Sequence, residues 1–420
     1  MSRAAATPDA GGGAGAAVAV ARARVTVLGV PLTVDGAEVL ARAELVVGGR
    51  EQLAAYAPSS ARQVALTGDL SAALDALAEC EGAACVLASG DAGFFGIVRR
   101  LADRLGSDAL DVRPAPSSVA TAFARLGVPW DDALVVSAHG RAAHVALHTA
   151  LRHPKVAILT APDAPPRWFA ERLAADGAVR TLAVAERLGT ADERVVTGTA
   201  EELAARTFAE PNVLVVLAPG AASARATLAP PRTSATGWAL PEAAFEHRAG
   251  MITKAEVRAV ALARLGPGVG DLVWDVGCGS GSVAVECARL GAAVVALDHD
   301  ADAVALTERN AAAHDVPVRA LHAKAPDALA QLTDDPDAVF VGGGGADLDA
   351  IVDLCARRAR RAVVVTLALI ERAGPTLDAL AARGLQTEAT MVQASRLRPL
   401  AGGHRLAAEN PIVVVSGVRA

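Results

Sequence analysis

From Arg24 onward the chain alternates short apolar runs with longer stretches in which apolar residues recur at helical spacing. In the first half the runs are VTVLGV (25–30), CVLAS (85–89), LVVSA (134–138), VAILT (156–160) and VLVVLA (213–218). They are rich in β-branched residues and carry no charge, the pattern of strands covered on both faces of a sheet. Between them lie Ala/Leu-rich stretches such as SAALDALAEC (71–80). Alternation of this kind predicts an α/β domain.

The pattern lapses over 219–245, which is rich in Pro, Ala, Ser and Thr and reads as a linker. A second series then opens. A helix is predicted over 255–265, a strand–loop–helix unit over 272–291, and strands within 293–300, 338–345, 362–369 and 411–417. No repeat of 20–50 residues relates the halves. The expected organisation is a disordered leader (1–22), an α/β domain (23–220), a linker (221–244) and a second α/β domain (245–420).

Composition narrows the function. A length of 420 residues suits two domains, and a 52% hydrophobic content dominated by Ala, Val and Leu supplies the cores. Forty basic residues face 46 acidic ones, a net charge of -6 that disfavours a nucleic-acid partner. Five cysteines without Cys-x-x-Cys or zinc spacing predict reduced thiols and no metal site. The apolar run Ala14–Ala21 is too short and weak for a signal peptide, and nothing approaches the ~18 apolar residues of a lipid span. A soluble, cytoplasmic protein with no membrane partner is expected.

The most informative segment is LVWDVGCGSGSVAVECA (272–288). A buried strand runs into glycines at 277, 279 and 281 and then into a helix, whose first N–H groups and positive dipole end suit an anionic or polar ligand. Asp298 closes the next apolar strand, where a carboxylate accepts from ribose hydroxyls. Ser282 interrupts the Gly-x-Gly-x-x-Gly dinucleotide pattern. The spacing Asp-x-Gly-x-Gly-x-Gly resembles the adenosylmethionine loop of doubly wound methyltransferases; a nicotinamide oxidoreductase stays open as an alternative. The glycine run 342–345 admits two readings, a pocket floor for a broad flat substrate or a flexible loop.

Wider stretches carry a closer resemblance. TKAEVR (253–258), WDVGCGSGSV (274–283), LDHD (297–300), LHAKAPDAL (321–329), VFVGGGG and the ending GGHRL…ENPIVVVSG resemble the decarboxylating methyltransferase domain of the cobalamin pathway. LVVGGREQL (45–53), LASGDAGFFGI (87–97), PAPSSVATAFARLGVPWDD (114–132), VVSAHGR (135–141) and AERLGTADERVVTGTAEELA (185–204) resemble the tetrapyrrole methylases. The resemblance implies a tetrapyrrole-methylase-like α/β domain followed by a Rossmann-like, doubly wound class I methyltransferase domain. It also implies S-adenosyl-L-methionine as cofactor, a precorrin as tetrapyrrole substrate, and a homo-oligomer. The implied chemistry is methylation at C5 by the first domain, with methylation at C15 and decarboxylation of the C12 acetate by the second.

Residue by residue, the resemblance assigns cofactor contacts to Thr253, Gly277, Cys278, Gly279, Ser280, Gly281, Asp298 and Ala325. In the first domain it assigns them to Ser89, Gly90, Asp91, Ser117 and Ser118. The pattern departs at Gly29–Gly36, where the usual Gly-x-Gly-x-Gly is absent, and at Ala92, Ala115 and Lys324. A degenerate first domain beside an active second one therefore stays open. RNA methylation is disfavoured by the acidic balance and the missing aromatic and basic platform. His139 and His404 are candidate catalytic groups. Arg141, Arg396 and Arg398 are candidate partners for substrate carboxylates, which guanidinium binds bidentately.

Overall fold

The computed structural model describes residues 24–67, 69–140, 142–222, 237–248 and 250–419. The expected leader, positions 223–236 of the expected linker, and Arg141 lie outside the described residues. The chain divides into one unit ending at Ser118 and one beginning at Val119.

Among the described residues of the first unit, five strands form one sheet: β1 (Val25–Val30), β2 (Leu45–Gly48), β3 (Arg62–Ala65), β4 (Ala84–Ser89) and β5 (Leu110–Arg113). Their order is β3-β2-β4-β1-β5 and every pairing is parallel. Side chains alternate along each strand and so sort into two layers. Val27, Leu45, Val47 and Val86 pack with Leu77 and Leu101 on one face, and Leu28, Val46, Cys85 and Leu87 with Leu40 and Leu53 on the other. The continuous apolar runs follow from this two-sided burial.

In the second unit the described strands β6 (Leu134–Ser137), β7 (Lys155–Leu159), β8 (Thr181–Glu186), β9 (Arg194–Thr199) and β10 (Asn212–Leu217) form a sheet ordered β6-β7-β10-β8-β9. Only β6–β7 is parallel among its pairings. Then come β11 (Leu272–Val276), β12 (Ala293–Asp298), β13 (Arg319–His322), β14 (Ala338–Val341), β15 (Ala362–Leu367), β16 (Gln386–Val392), β17 (Ser395–Leu400), β18 (Gly403–Ala408) and β19 (Ile412–Val418). Seven of these build a second sheet, β13-β12-β11-β14-β15-β19-β16, parallel except for β19. Strands β17 and β18 pair as a separate antiparallel hairpin.

The second sheet is doubly wound. Val273, Val294, Ala296, Phe340, Val364 and Val414 face one core, and Trp274, Val295, Val339, Val341, Val363 and Val415 the other. Strand order reverses between β11 and β14, and the carboxyl ends of strands at such a switch point leave a crevice for ligands. Residues of 119–222 pack on this sheet within the same unit. Arg152 Nε donates to Ala288 O at 2.8 Å, His148 Nδ1 lies 3.1 Å from Gly270 O and 3.2 Å from Asp337 Oδ2, and Arg319 pairs with Asp176 at 2.5 Å.

The α/β expectation holds in both units. Among the described residues no helix is long and apolar enough to cross a membrane.

Candidate functional site

Strand β11 is buried throughout and delivers the chain to Gly277, Gly279 and Gly281, with φ of 72°, 55° and 68°. Side chains other than Gly rarely accept that left-handed region, so the three glycines are conformational requirements. Their surroundings differ. A Cβ on Gly281 would lie 2.5 Å from Thr307 Cγ2, and one on Gly277 3.2 Å from Gly343 O, whereas one on Gly279 would meet no described atom within 4 Å. Gly279 therefore borders open space while its neighbours are packed.

The loop is pinned from below. The N–H groups of Gly277 and Cys278 donate to Leu297 O, and Gly281 N–H donates to Cys278 O. Helix Ser282–Arg289 starts immediately afterwards. Asp298, 7% exposed, sits beside the turn: its Oδ2 accepts from Gly279 N–H at 3.0 Å and its Oδ1 from Asp300 N–H at 3.0 Å. Oδ1 also faces His299 Nδ1 at 3.3 Å, while Oδ2 keeps a lone pair for a further donor. The loop carrying Ala325 joins them, because Ala323 N–H donates to Asp298 O.

Cys278 is buried, its sulfur 3.3 Å from Thr307 Oγ1, and burial pushes its thiol up to about 12. It is a small neutral side chain under ordinary conditions, as the turn requires. Thr253 is half-buried and its carbonyl accepts from Arg258 Nη1 at 2.6 Å.

The residue assignments missed two groups. Asp275 opens the Asp-x-Gly-x-Gly-x-Gly spacing, which by itself assigns it no role. It is 1% exposed, Oδ2 accepts from Ala284 N–H at 2.9 Å, and Oδ1 has no partner among the described residues. Burial, reinforced by the charge of Asp298, pushes its carboxyl up to about 7. A lone acid inside an apolar strand was the available signal. Asn310, 2% exposed on helix Ala301–Ala313, donates from Nδ2 to Ser280 O at 2.8 Å. Nothing in its local sequence marks it.

The glycine run packs against the 277–281 loop: a Cβ on Gly342 would come within 2.9 Å of Gly277 O, while Gly343 borders open space. Its rim carries cations. Lys324 Nζ pairs with Asp347 Oδ2 at 2.9 Å, and Arg372 Nη1 donates to Gly345 O at 2.6 Å.

The hairpin residues stand apart from this cluster in their contacts. Arg396 is bonded to Glu242 at 2.7 Å and Glu256 at 2.8 Å, and it holds the Glu242 carboxyl down to about 2. Arg398 pairs across the hairpin with Arg405, and His404 faces Pro399; Arg398 and His404 are exposed. His139 is exposed on the turn after β6, its N–H donating to Ser137 Oγ.

In the first unit the loops 89–91 and 115–118 meet. Ala115 N–H donates to Gly90 O at 3.1 Å, and a Cβ on Gly29 would lie 2.2 Å from both of those atoms. A Cβ on Gly90 would come within 3.3 Å of Ser117 Cα and 3.5 Å of Ser118 N. Ser89 Oγ accepts from Gln52 Nε2 at 2.7 Å and Asp91 Oδ1 from Gly93 N–H at 2.8 Å.

A seven-stranded, doubly wound sheet with a triple-glycine turn and an acid one strand later is the architecture of the α/β methyltransferases. A model described as a precorrin methyltransferase domain matches residues 243–419, and one described as tetrapyrrole (corrin/porphyrin) methylases matches 31–204. The chain belongs to the precorrin methyltransferase family.

A precorrin-6Y C(5,15)-methyltransferase [decarboxylating] of Sinorhizobium sp is 40% identical over 269 residues, 62% of this chain and 62% of that protein. The match thus takes in less than two thirds of that relative. A probable cobalt-precorrin-6B C(15)-methyltransferase (decarboxylating) of Pyrobaculum calidifontis is 37% identical over 184 residues, 42% of this chain and 94% of that protein. The solved C-terminal domain of precorrin-6Y C5,15-methyltransferase from Rhodobacter capsulatus is 33% identical, with a TM-score of 0.40, covering 44% of this chain and 100% of that one.

Proposed function

We propose that the chain is a bifunctional, adenosylmethionine-dependent precorrin methyltransferase of cobalamin biosynthesis. Residues 245–420 would methylate C15 and release the C12 acetate carboxylate as carbon dioxide, and residues 23–220 would methylate C5. The two family matches, 243–419 and 31–204, support that division. The observation that carries the reading is the meeting of Asp298 with Gly279 at a switch point open beside Gly279.

The second site fits the cofactor on its own geometry. Gly279 offers close backbone approach, the start of helix Ser282–Arg289 offers N–H groups, and Asp298 retains acceptor capacity for a ribose diol. Adenosylmethionine supplies an already electrophilic methyl group, so the protein's work is alignment and exclusion of water. Thr253, Cys278, Ser280 and Ala325 line the same lead-in, loop and strand-end segments. Gly343 leaves room for a flat macrocycle. Lys324 and Arg372 stand at the rim, where substrate carboxylates exchange for their present partners. Loss of carboxylate as carbon dioxide leaves its electron pair on the side-chain carbon, delocalised into the conjugated ring, and that carbon takes up one proton from solvent to become a methyl group, so no strong protein base is required.

For the first site we propose Ser89, Gly90, Asp91, Ser117 and Ser118 as cofactor contacts, supported by the meeting of their two loops. His139, His404, Arg141 and Arg398 remain proposed substrate-facing groups. Arg396 already satisfies two carboxylates and is the weakest of these assignments.

Mass spectrometry of the product from a precorrin-6-type substrate tests the function. Gain of two methyl groups with loss of one carbon dioxide is expected; one methyl with that loss leaves the second domain alone active, and an unchanged substrate refutes the proposal. Free thiols at all five cysteines fit a cytoplasmic enzyme. We also propose self-association through the β17–β18 hairpin, whose paired Leu397 and Leu406 are each 67% exposed. Light scattering should report an oligomer that Leu397→Glu dissociates; a monomeric wild type would refute it.

A further inference from the structure

The stretch 239–248 leads into the second domain and lies along the two helices that flank the glycine loop. Glu286, fully buried on helix Ser282–Arg289, accepts from Ala239 N–H at 3.2 Å and Leu240 N–H at 2.6 Å. Its buried partner Arg258 donates to it at 3.2 Å and also bonds Leu240 O. Further along, His314 Nε2 lies 2.8 Å from Ala244 O. Arg309 Nε donates to Glu246 Oε2 at 2.9 Å, and Arg248 reaches Asp300 and Asp302 at 3.2 and 3.1 Å.

Asn310 connects this stretch to the loop. Its Oδ1 accepts from Glu246 N–H at 2.8 Å, while Nδ2 donates to Glu246 O at 2.9 Å and to Ser280 O at 2.8 Å. Both amide hydrogens are thus committed, one to each segment, inside a site where an unmade bond is costly. A second route runs over the surface, since Arg248 bonds the carboxylate of Asp300, whose N–H is held by Asp298.

We infer that Asn310 is a positioning residue that couples the lead-in stretch 239–248 to the glycine loop, so that cofactor binding and docking of this stretch reinforce each other. The inference rests on the adenosylmethionine reading of that loop. It assigns the stretch a role in cofactor affinity, although none of its side chains needs to touch the cofactor. By linkage the effect is reciprocal: a bound cofactor secures the stretch as much as the stretch favours binding.

Asn310→Asp keeps the shape of the side chain and removes both donors. Titration calorimetry of the full chain with S-adenosylmethionine, together with limited trypsin cleavage after Arg248, forms the test. In the wild type, saturating S-adenosylmethionine should slow that cleavage. In Asn310→Asp the dissociation constant should rise about tenfold, the protection should disappear, and the donor KM should rise with little change in kcat. A purely structural role would lower the melting temperature and leave protection by bound cofactor intact. Arg248→Ala, an exposed change that leaves the core untouched, should weaken binding by up to about fivefold and is read by titration alone. It decides the matter if Asn310→Asp fails to fold. Wild-type affinity in both variants, or protection that persists in Asn310→Asp, overturns the inference alone. Absence of binding to folded wild type overturns the adenosylmethionine reading and this inference with it.

Discussion

Two aspartates beside one turn differ in their hydrogen-bond partners. Asp298 collects two backbone N–H groups at the crevice and stays available to a ligand. Asp298→Ala removes a charged acceptor and should weaken adenosylmethionine binding by about 2 kcal/mol, roughly thirtyfold, in calorimetry. Unchanged affinity would sink the ribose assignment. Asp275 is buried in the strand below the loop, with one oxygen unpartnered among the described residues, and burial pushes its carboxyl up to about 7 from the usual 3.8. A carboxyl raised on folding binds more protons folded than unfolded between those values. Its contribution to stability is therefore present at low pH and lost as pH rises through about 7. Asp275→Asn should flatten the dependence of melting temperature on pH across that window, and an unaltered profile would contradict the burial argument. The sequence assigns a role to Asp298 alone, at the end of its apolar strand; only the fold shows that Asp298 holds the glycine turn through Gly279 N–H while Asp275 lies in the strand beneath it. Asn310 was invisible because its value lies in bonds to two segments distant in sequence.

At the scale of the element, the triple-glycine turn yields a contrast between two identical substitutions. Gly281→Ala places a methyl against Thr307 in a left-handed conformation, so stability should fall by at least about 2 kcal/mol in denaturant melts. Gly279→Ala carries the conformational cost alone, about 1 kcal/mol, but its methyl enters the open crevice and should reduce cofactor affinity disproportionately. Equal effects of the two on affinity would mean that the crevice beside Gly279 is not where the ligand lies. Several buried elements were legible to within a residue or two, as the runs 25–30 and 255–265 match β1 and helix Ala255–Leu265, but the short buried strands β2 and β8 were not. Edge strands were not. β3, β9 and β16 are half-exposed and carry Arg, Thr, Gln or Glu, so they lack an apolar run, and ladder pairing rather than burial makes them strands. The β17–β18 hairpin escaped notice for the same reason, since its sequence SRLRPL–AG–GHRLAA has no buried face.

For the whole molecule, hydrophobic pattern suggests two α/β series around a Pro-rich stretch, the family models match 31–204 and 243–419, and the structure divides the chain after Ser118. What pattern could not convey is how residues 119–222 share a unit with the second sheet. The ties are side chains reaching backbone carbonyls, as Arg152 does to Ala288 and His148 to Gly270, and such bonds leave no periodic trace.

Those ties predict that residues 119–222 stay on the second sheet without covalent continuity to it. His148, wholly buried against Asp337, and the Arg319–Asp176 pair join residues before 223 to residues after 236. Separate polypeptides 1–222 and 237–420, produced in one cell, should accordingly co-elute on size exclusion. Arg152→Ala together with His148→Ala should set them adrift, and fragments that part without those changes would show the clamp to be too weak to matter.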